Sequence, residues 1–279
     1  DCYRFLMVYF GCSLRELLEE NKDFVEKSRS RAYRMFMKPI EEEISLTDKK
    51  SLPFSSDYKK EFGRDYRWIG KKELLTNKIT DILKDLDSAM SKGKIIKHET
   101  GHFIVSLNLE GQEIFIKKYQ IKSAWHLVRK VFSKSRAYNS WLAIHWLRSA
   151  GISTVDPIVV YERFNFCTTL DSYLITNSIE GDNLDTVCNE NKKDFIIAAR
   201  MHSFFKRLQW IGFNHGDAKT SNFFIDKEDL VVFDLDVAKR RLTNFMVKRK
   251  IKRDIERMLR SVKENKRLHK LMKKRLDVS

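Results

Sequence analysis

The stretch His215-Gly216-Asp217-Ala218-Lys219-Thr220-Ser221-Asn222 constrains this chain more than any other, because twelve residues beyond Asn222 the apolar run Val231-Val232-Phe233 ends in Asp234. The residue types and their spacing supply the parts of a phosphoryl-transfer site. Asp217 would accept the proton of an attacking hydroxyl, and Lys219 would steady the transferring phosphoryl. Asn222 and Asp234 would hold the Mg2+ ions that neutralise charge developing on ATP. The same letters also suit an ordinary turn followed by a hairpin, with strands over 222–225 and 230–233 and a loop over 226–229. That hairpin is compatible with both readings, so it accounts for the geometry but not for the choice of residues.

The segment 94–117 supplies what such a loop requires upstream. Ile95-Ile96, Phe103 to Leu107 and Glu113 to Lys117 read as three successive antiparallel strands, with a turn at Glu110-Gly111. Alternation places Phe115 and Lys117 on one face and Ile114 and Ile116 on the other. Lys117 is therefore the candidate for pairing the ATP α and β phosphates, and Lys118 points away; a register slip of one residue would exchange them. A solvated strand lysine is the plainer alternative. Between the first two strands, His98-Glu99-Thr100-Gly101-His102 stands where a phosphate-covering loop is expected. It has one glycine, Gly101, whose turn would bring backbone amides to phosphate; the two histidines read as turn or surface residues.

Apolar spacing predicts helices over 74–90, 136–150 and 193–210. The second should carry an acid facing Lys117, yet from Ser123 to Tyr161 there is no glutamate, and Asp156 is the single acidic residue. Ser140 or Asn139 falls near that position, so the lysine is expected to find another acid, or the site to be slow or merely phosphate-binding. Strands over 158–161 and 172–176 place a lobe-joining hinge near Leu174 to Asn177, where backbone groups of Leu174 and Ile175 would read the adenine edge. In the helix over 193–210, Phe195, Ala198, Ala199, His202 and Phe205 share a face, with His202 as a core residue. His215 is expected to brace its loop, and Asp236 to be a second metal ligand, a loop-bracing acid or a plain surface acid.

Charge is unevenly placed in this 279-residue chain of net charge +16. From Lys239 to Ser279 there are 17 Lys and Arg against 4 Asp and Glu. Ile251, Ile255, Met258, Leu259 and Val262 recur there at helical spacing, predicting amphipathic helices with a basic outer face. Such a face is either a solvated end of the fold or an attachment to a polyanion. An anionic membrane surface or a phosphorylated glycolipid fits better than nucleic acid, which is not expected as a partner. Four scattered cysteines lack metal-site spacing and fit a reducing cytoplasm. No run is long and apolar enough to span a membrane. Residues 5–10 make a poor signal peptide, and the first 36 or so residues are expected to be an extension or to lie upstream of a start at Met35 or Met37.

The stretch from about Lys94 to Arg241 resembles the lipopolysaccharide kinase family. The residues that carry the resemblance are Ile116-Lys117-Lys118-Tyr119, Ser135-Arg136-Ala137-Tyr138-Asn139, Ala150-Gly151-Ile152-Ser153-Thr154 with Pro157, His215-Gly216-Asp217 with Asn222, and Phe233-Asp234-Leu235-Asp236. The resemblance implies ATP-dependent phosphorylation of a sugar hydroxyl in the lipopolysaccharide inner core, or of a lipid A precursor glycolipid, by a peripheral protein on the cytoplasmic face of the inner membrane. Departures are the absent helix glutamate, the single-glycine turn and Ala218 where a leucine is common.

The expected architecture is α+β, a protein-kinase-like two-lobed fold with an antiparallel β-rich N-lobe and an α-helical C-lobe. Residues 1–92 would be a largely helical or irregular extension, 93–177 the N-lobe, and 178–279 the C-lobe with its basic tail. A small-molecule or protein kinase of the same fold, and a membrane-associated pseudokinase scaffold, are the competing readings.

Overall fold

The structure, a computed structural model, describes residues 57–99, 101–109, 111–120, 134–165, 168–179, 181–188, 193–226, 229–240 and 243–276, together with Asp23, Lys27 and Arg31. Apart from those three, the segment 1–56 lies outside the described residues, including the signal-peptide and start-site expectations.

The first half is strand-rich. It runs β1 (Tyr58–Phe62), β2 (Tyr66–Lys71), α1 (Asn77–Lys84), α2 (Leu86–Ser91), β3 (Lys94–Glu99), β4 (His102–Leu109), β5 (Gln112–Gln120), α3 (Arg136–Ser149), β6 (Pro157–Asn165) and β7 (Thr168–Asn177). Its strands form one antiparallel seven-stranded sheet in the order β1-β2-β6-β7-β5-β4-β3. The sequence reading placed residues up to 92 in a helical or irregular extension, but β1 and β2 belong to this sheet. Their composition hides them: Tyr58-Lys59-Lys60-Glu61-Phe62 is an edge strand whose polar residues face solvent.

Helices α1 and α2 replace the single helix expected over 74–90. The break falls at Asp85, whose backbone leaves the helical region (φ −147°, ψ 82°) and whose carboxylate accepts the Ser88 N–H at 3.0 Å. An aspartate that caps a new helix competes with continuing the old one. Ile79, Leu83, Leu86 and Met90 from the pair pack on Val105, Ile114, Ile116, Val159 and Ile175 of one sheet face. Truncating a fully buried member such as Ile116 to alanine would cost about 2–5 kcal/mol.

Helix α3 packs against β5, β6 and β7. It starts where expected, with the Ser135 hydroxyl accepting the Tyr138 N–H at 3.1 Å, and ends before Gly151 at φ 68°.

The second half is helix-rich. It comprises β8 (Asp182–Asn183), α4 (Leu184–Cys188), α5 (Asp194–Trp210), β9 (Phe213–Asn214), β10 (Phe223–Asp226), β11 (Asp229–Val232), β12 (Lys239–Arg240), α6 (Asn244–Ser261) and α7 (Lys266–Leu276). A strand-rich first half followed by a helix-rich second half is the α+β arrangement expected from the sequence. Helix α5 buries Ile197, Ala198, Met201, Phe204, Phe205 and Leu208, with α6 and α7 packed against it. Phe195, expected on that face, is instead 61% exposed, with the Arg275 guanidinium 4.5 Å from its ring centroid. His202 is half-buried, and a ring N–H meets the Arg275 carbonyl at 2.7 Å.

Candidate active site

Strands β9 and β12 pair as Asn214↔Lys239 and Phe213↔Arg240, which pins together the segments that follow β9 and precede β12. Between them, Gly216 has φ 89°, and a Cβ there would sit 2.9 Å from the Val237 carbonyl oxygen. Only glycine fits that turn without backbone movement. Its N–H donates to both carboxylate oxygens of Asp254, at 3.1 and 3.0 Å, and its carbonyl accepts from Arg257. His215 is fully buried; burial lowers its pKa and keeps the ring neutral, so Nδ1 accepts the Asp217 N–H at 3.2 Å. The expected bracing role of His215 is thus present in the geometry.

Asp217 presents a side chain that is 34% exposed, within reach of an incoming hydroxyl. Lys219 Nζ lies 3.4 Å from one of its carboxylate oxygens and Arg257 Nε 3.6 Å from the other. Asn222 donates Nδ2 to the Asp217 carbonyl at 2.8 Å and to its carboxylate at 3.3 Å. That bonding leaves the Asn222 amide oxygen as the atom able to ligate a cation.

Asp234 is brought alongside by the Phe233 N–H, which donates to the Asn222 carbonyl at 3.2 Å. Asp234 is the one non-glycine among the described residues with positive φ, 57°. Such a conformation costs about 1–3 kcal/mol and persists only where neighbours enforce it. Its carboxylate accepts from Lys117 Nζ at 2.5 Å. Burial works against the charged form of each partner, but their attraction outweighs it. Asp234 is therefore held below the usual carboxyl range and Lys117 above the usual ammonium range. Lys117 faces this cleft, whereas Lys118 faces the opposite way and pairs with Asp87 at 2.7 Å and Asp171 at 3.5 Å. Despite partial burial, Lys118, Arg163 and Tyr173 together hold Asp87 at about 2, and Lys118 is pushed up to about 12.

No helix acid reaches Lys117 from α3. Ser140 lies within hydrogen-bond distance of the Tyr119 hydroxyl (3.2 Å) instead, and Asp234 is the other acid that the lysine finds. Asp236 is buried and bonded to Arg136 at 2.6 Å, which is the bracing option among the three expected for it. Gly101, φ 99°, forms a short turn between β3 and β4, and its carbonyl accepts from Gln120 N–H at 3.2 Å and Arg136 at 3.4 Å. Arg136, which also holds the Asp236 carboxylate, thereby ties this turn to the segment that follows Asp234.

Leu174 and Ile175 are placed differently from their expected role. Both sit inside β7, paired with Lys117 and Ile116 of β5 on one side and with Val160 and Val159 of β6 on the other. Strand pairing uses their backbone groups, so an adenine edge cannot be read there. The chain leaves the sheet after Ser178, whose N–H still bonds the Glu113 carbonyl at 3.1 Å.

Asp254 and Arg257, both on α6, are site residues that the sequence reading did not single out. The signal was present, since Asp254 falls in the helical stripe of Ile251, Ile255 and Met258, where an apolar residue is the norm. Asp254 is 2% exposed, and burial raises its pKa against the opposing pull of the Gly216 N–H, His215 and Arg257.

Among the described residues no three His, Cys, Asp or Glu cluster as a ready-made metal cage. The donors present are the Asp234 carboxylate and the Asn222 amide oxygen, both hard oxygen ligands. Such a sparse set fits Mg2+, which keeps several waters and takes remaining ligands from nucleotide phosphates.

Residues 90–276 match the model of the family described as "Lipopolysaccharide kinase (Kdo/WaaP) family". No curated protein matches the chain. Among solved structures it is similar to one titled "WaaP in complex with acyl carrier protein", at 18% identity and a TM-score of 0.49, over 68% of this chain and 83% of that one.

Proposed function

The chain belongs to the lipopolysaccharide kinase (Kdo/WaaP) family, and from that premise we propose that it transfers the γ-phosphoryl group of ATP, with Mg2+, to a sugar hydroxyl of the lipopolysaccharide inner core or of a lipid A precursor. The observation that carries this reading is the convergence of Asp217, Asn222, Asp234 and Lys117, from two loops and a strand, around one cleft.

In this reading the acceptor hydroxyl donates its proton to the Asp217 carboxylate, which Asn222 orients through its side-chain amide. Lys219, 3.4 Å from that carboxylate, meets the transferring phosphoryl, and Lys117 meets the α and β phosphates. Asn222 and Asp234 would hold Mg2+, which supplies charge neutralisation on the phosphates. The Gly101 turn covers the phosphates. An intact set of Asp217, Asn222 and Asp234 favours an enzyme over a scaffold.

The basic tail supports a peripheral position on an anionic leaflet, which we place at the cytoplasmic face of the inner membrane. Lys248, Arg249, Lys252, Arg253, Lys270 and Lys273 are exposed on α6 and α7, and Phe245 at the start of α6 is 74% exposed. Among the described residues no helix is long and apolar enough to cross a membrane. Incubation with γ-labelled ATP, Mg2+ and purified lipopolysaccharide inner core tests the assignment. Label in the glycolipid that vanishes with Asp217→Asn is expected, and ATP turnover onto other acceptors alone would redirect it.

A further inference from the structure

The absent helix acid raises the question of what links α3 to the nucleotide cleft. The contacts run through the first turn of the helix. Arg136 Nε donates to Asp236 Oδ2 at 2.6 Å, and its Nη2 pairs with the same carboxylate. Its Nη1 faces the Gly101 carbonyl at 3.4 Å, and its guanidinium carbon lies 4.9 Å from the Tyr119 ring centroid. Lys117 Nζ lies 4.9 Å from that ring as well. One turn along the same helix face, Asn139 Nδ2 donates to the Asp236 carbonyl at 2.6 Å and the Ala238 carbonyl at 3.2 Å.

Asp236 is therefore held by its side chain and by its carbonyl, both from α3, two residues after the strained Asp234. A left-handed aspartate needs such enforcement, since its relaxed conformation would turn the carboxylate elsewhere. Removing the guanidinium would also strand a buried Asp236 carboxylate, which would then pull toward solvent and take its neighbours with it.

We infer that Arg136 is a positioning residue: through Asp236 it fixes the Asp234 carboxylate, and through Gly101 it fixes the phosphate-side turn, so that α3 is coupled to the cleft by an arginine where a glutamate is absent. The chain of contact runs from α3 through Arg136 and Asp236 to Asp234 and Lys117. This inference rests on the reading of the cleft as a Mg·ATP site.

The test measures binding of a fluorescent ATP analogue with Mg2+, and of adenosine, to the full chain and to Arg136→Ala, Asp236→Asn and the double variant. Wild type is expected to bind Mg·ATP. Each single variant should weaken it about tenfold with adenosine affinity unchanged, and the double variant should be no weaker than the poorer single. Arg136→Lys, which keeps the charge but cannot span Asp236 and Gly101 together, stands in if the alanine variant does not fold, and should weaken Mg·ATP severalfold with adenosine affinity unchanged. Weakening by Arg136→Ala with Asp236→Asn unaffected would mean a direct phosphate contact and overturn the inference. So would additive losses, equal loss of adenosine binding, or no loss in either single. A folded wild type that binds no Mg·ATP would instead remove the underlying reading, and the inference with it.

Discussion

Replacing Lys117 with methionine leaves the Asp234 carboxylate in a cleft where burial opposes its charge and no ammonium offsets it. Removing one partner of a buried ion pair costs about 3–5 kcal/mol, because the other charge stays behind. Here the two side chains are 13% and 20% exposed, so some water reaches the pair, and the expected loss is near the lower end, about 3 kcal/mol. For a domain of this size that lowers the nucleotide-free Tm by about 6–12 °C. The pH dependence separates this cause from lost packing. In wild type the Asp234 pKa is lowered below its usual 3.8, so the pair contributes stability above that pH and loses it as pH falls through the lowered value. Lys117 is raised, so its contribution is present below 10.5 and fades only as pH rises through the raised value. In Lys117→Met, burial alone raises Asp234, so the carboxyl is protonated cheaply in acid and becomes a penalty as pH rises. Thermal unfolding should show the gap between wild type and variant smallest at about pH 3 and largest at about pH 7. Adding Asp234→Asn should restore more than half of the loss at pH 7. A gap of equal size at both pH values, or a double variant no better than Lys117→Met, would mean that lost packing and not the stranded carboxylate sets the cost.

Three further outcomes follow from the same geometry. Asp217→Asn should slow single-turnover phosphoryl transfer by about 10²–10⁴-fold while Mg·ATP affinity stays within about twofold; a variant with unchanged turnover removes Asp217 from its role. Ser140→Glu places an acid at the Tyr119 hydroxyl, whose ring centroid lies 4.9 Å from Lys117 Nζ, and so offers the lysine an alternative to Asp234; turnover at fixed Mg·ATP should rise severalfold. An unchanged or lower rate would show that Asp234 already serves both partners. Neutralising the exposed Lys270, Lys273 and Lys274 to glutamine should weaken salt-sensitive binding to phosphatidylserine vesicles by about 1 kcal/mol each, read by sedimentation, and indifference to salt would count against the membrane face.

How much of this was legible in the sequence depends on the residue. The loop around Asp217 declares itself because the chemistry demands particular side chains at fixed spacing. Lys117 follows from strand alternation, whose period of two residues fixes the face it takes once the register is right. The Ser135 cap and Gly151 bracket α3 for local steric reasons visible in any window. What stayed hidden depended on long-range pairing. Strand β2 is ordered by β6, nearly a hundred residues away in the register Arg67↔Glu162, and β1 by β2, and their own residues do not alternate cleanly. Leu174 and Ile175 looked like a strand end but are interior because β6 and β5 flank them on both sides. Asp254 and Arg257 were masked by a tail rich in like-charged residues, although an aspartate within an apolar stripe was the clue that this helix is bound to the Gly216 turn.

The proposed reaction adds phosphate to a lipopolysaccharide-type sugar. Mass spectrometry of the lipid A–core fraction from cells with the protein, without it, and with only its Asp217→Asn form reads that phosphate. One additional phosphate on an inner-core sugar is expected in the first sample and in neither of the others. Identical core masses in all three would contradict it.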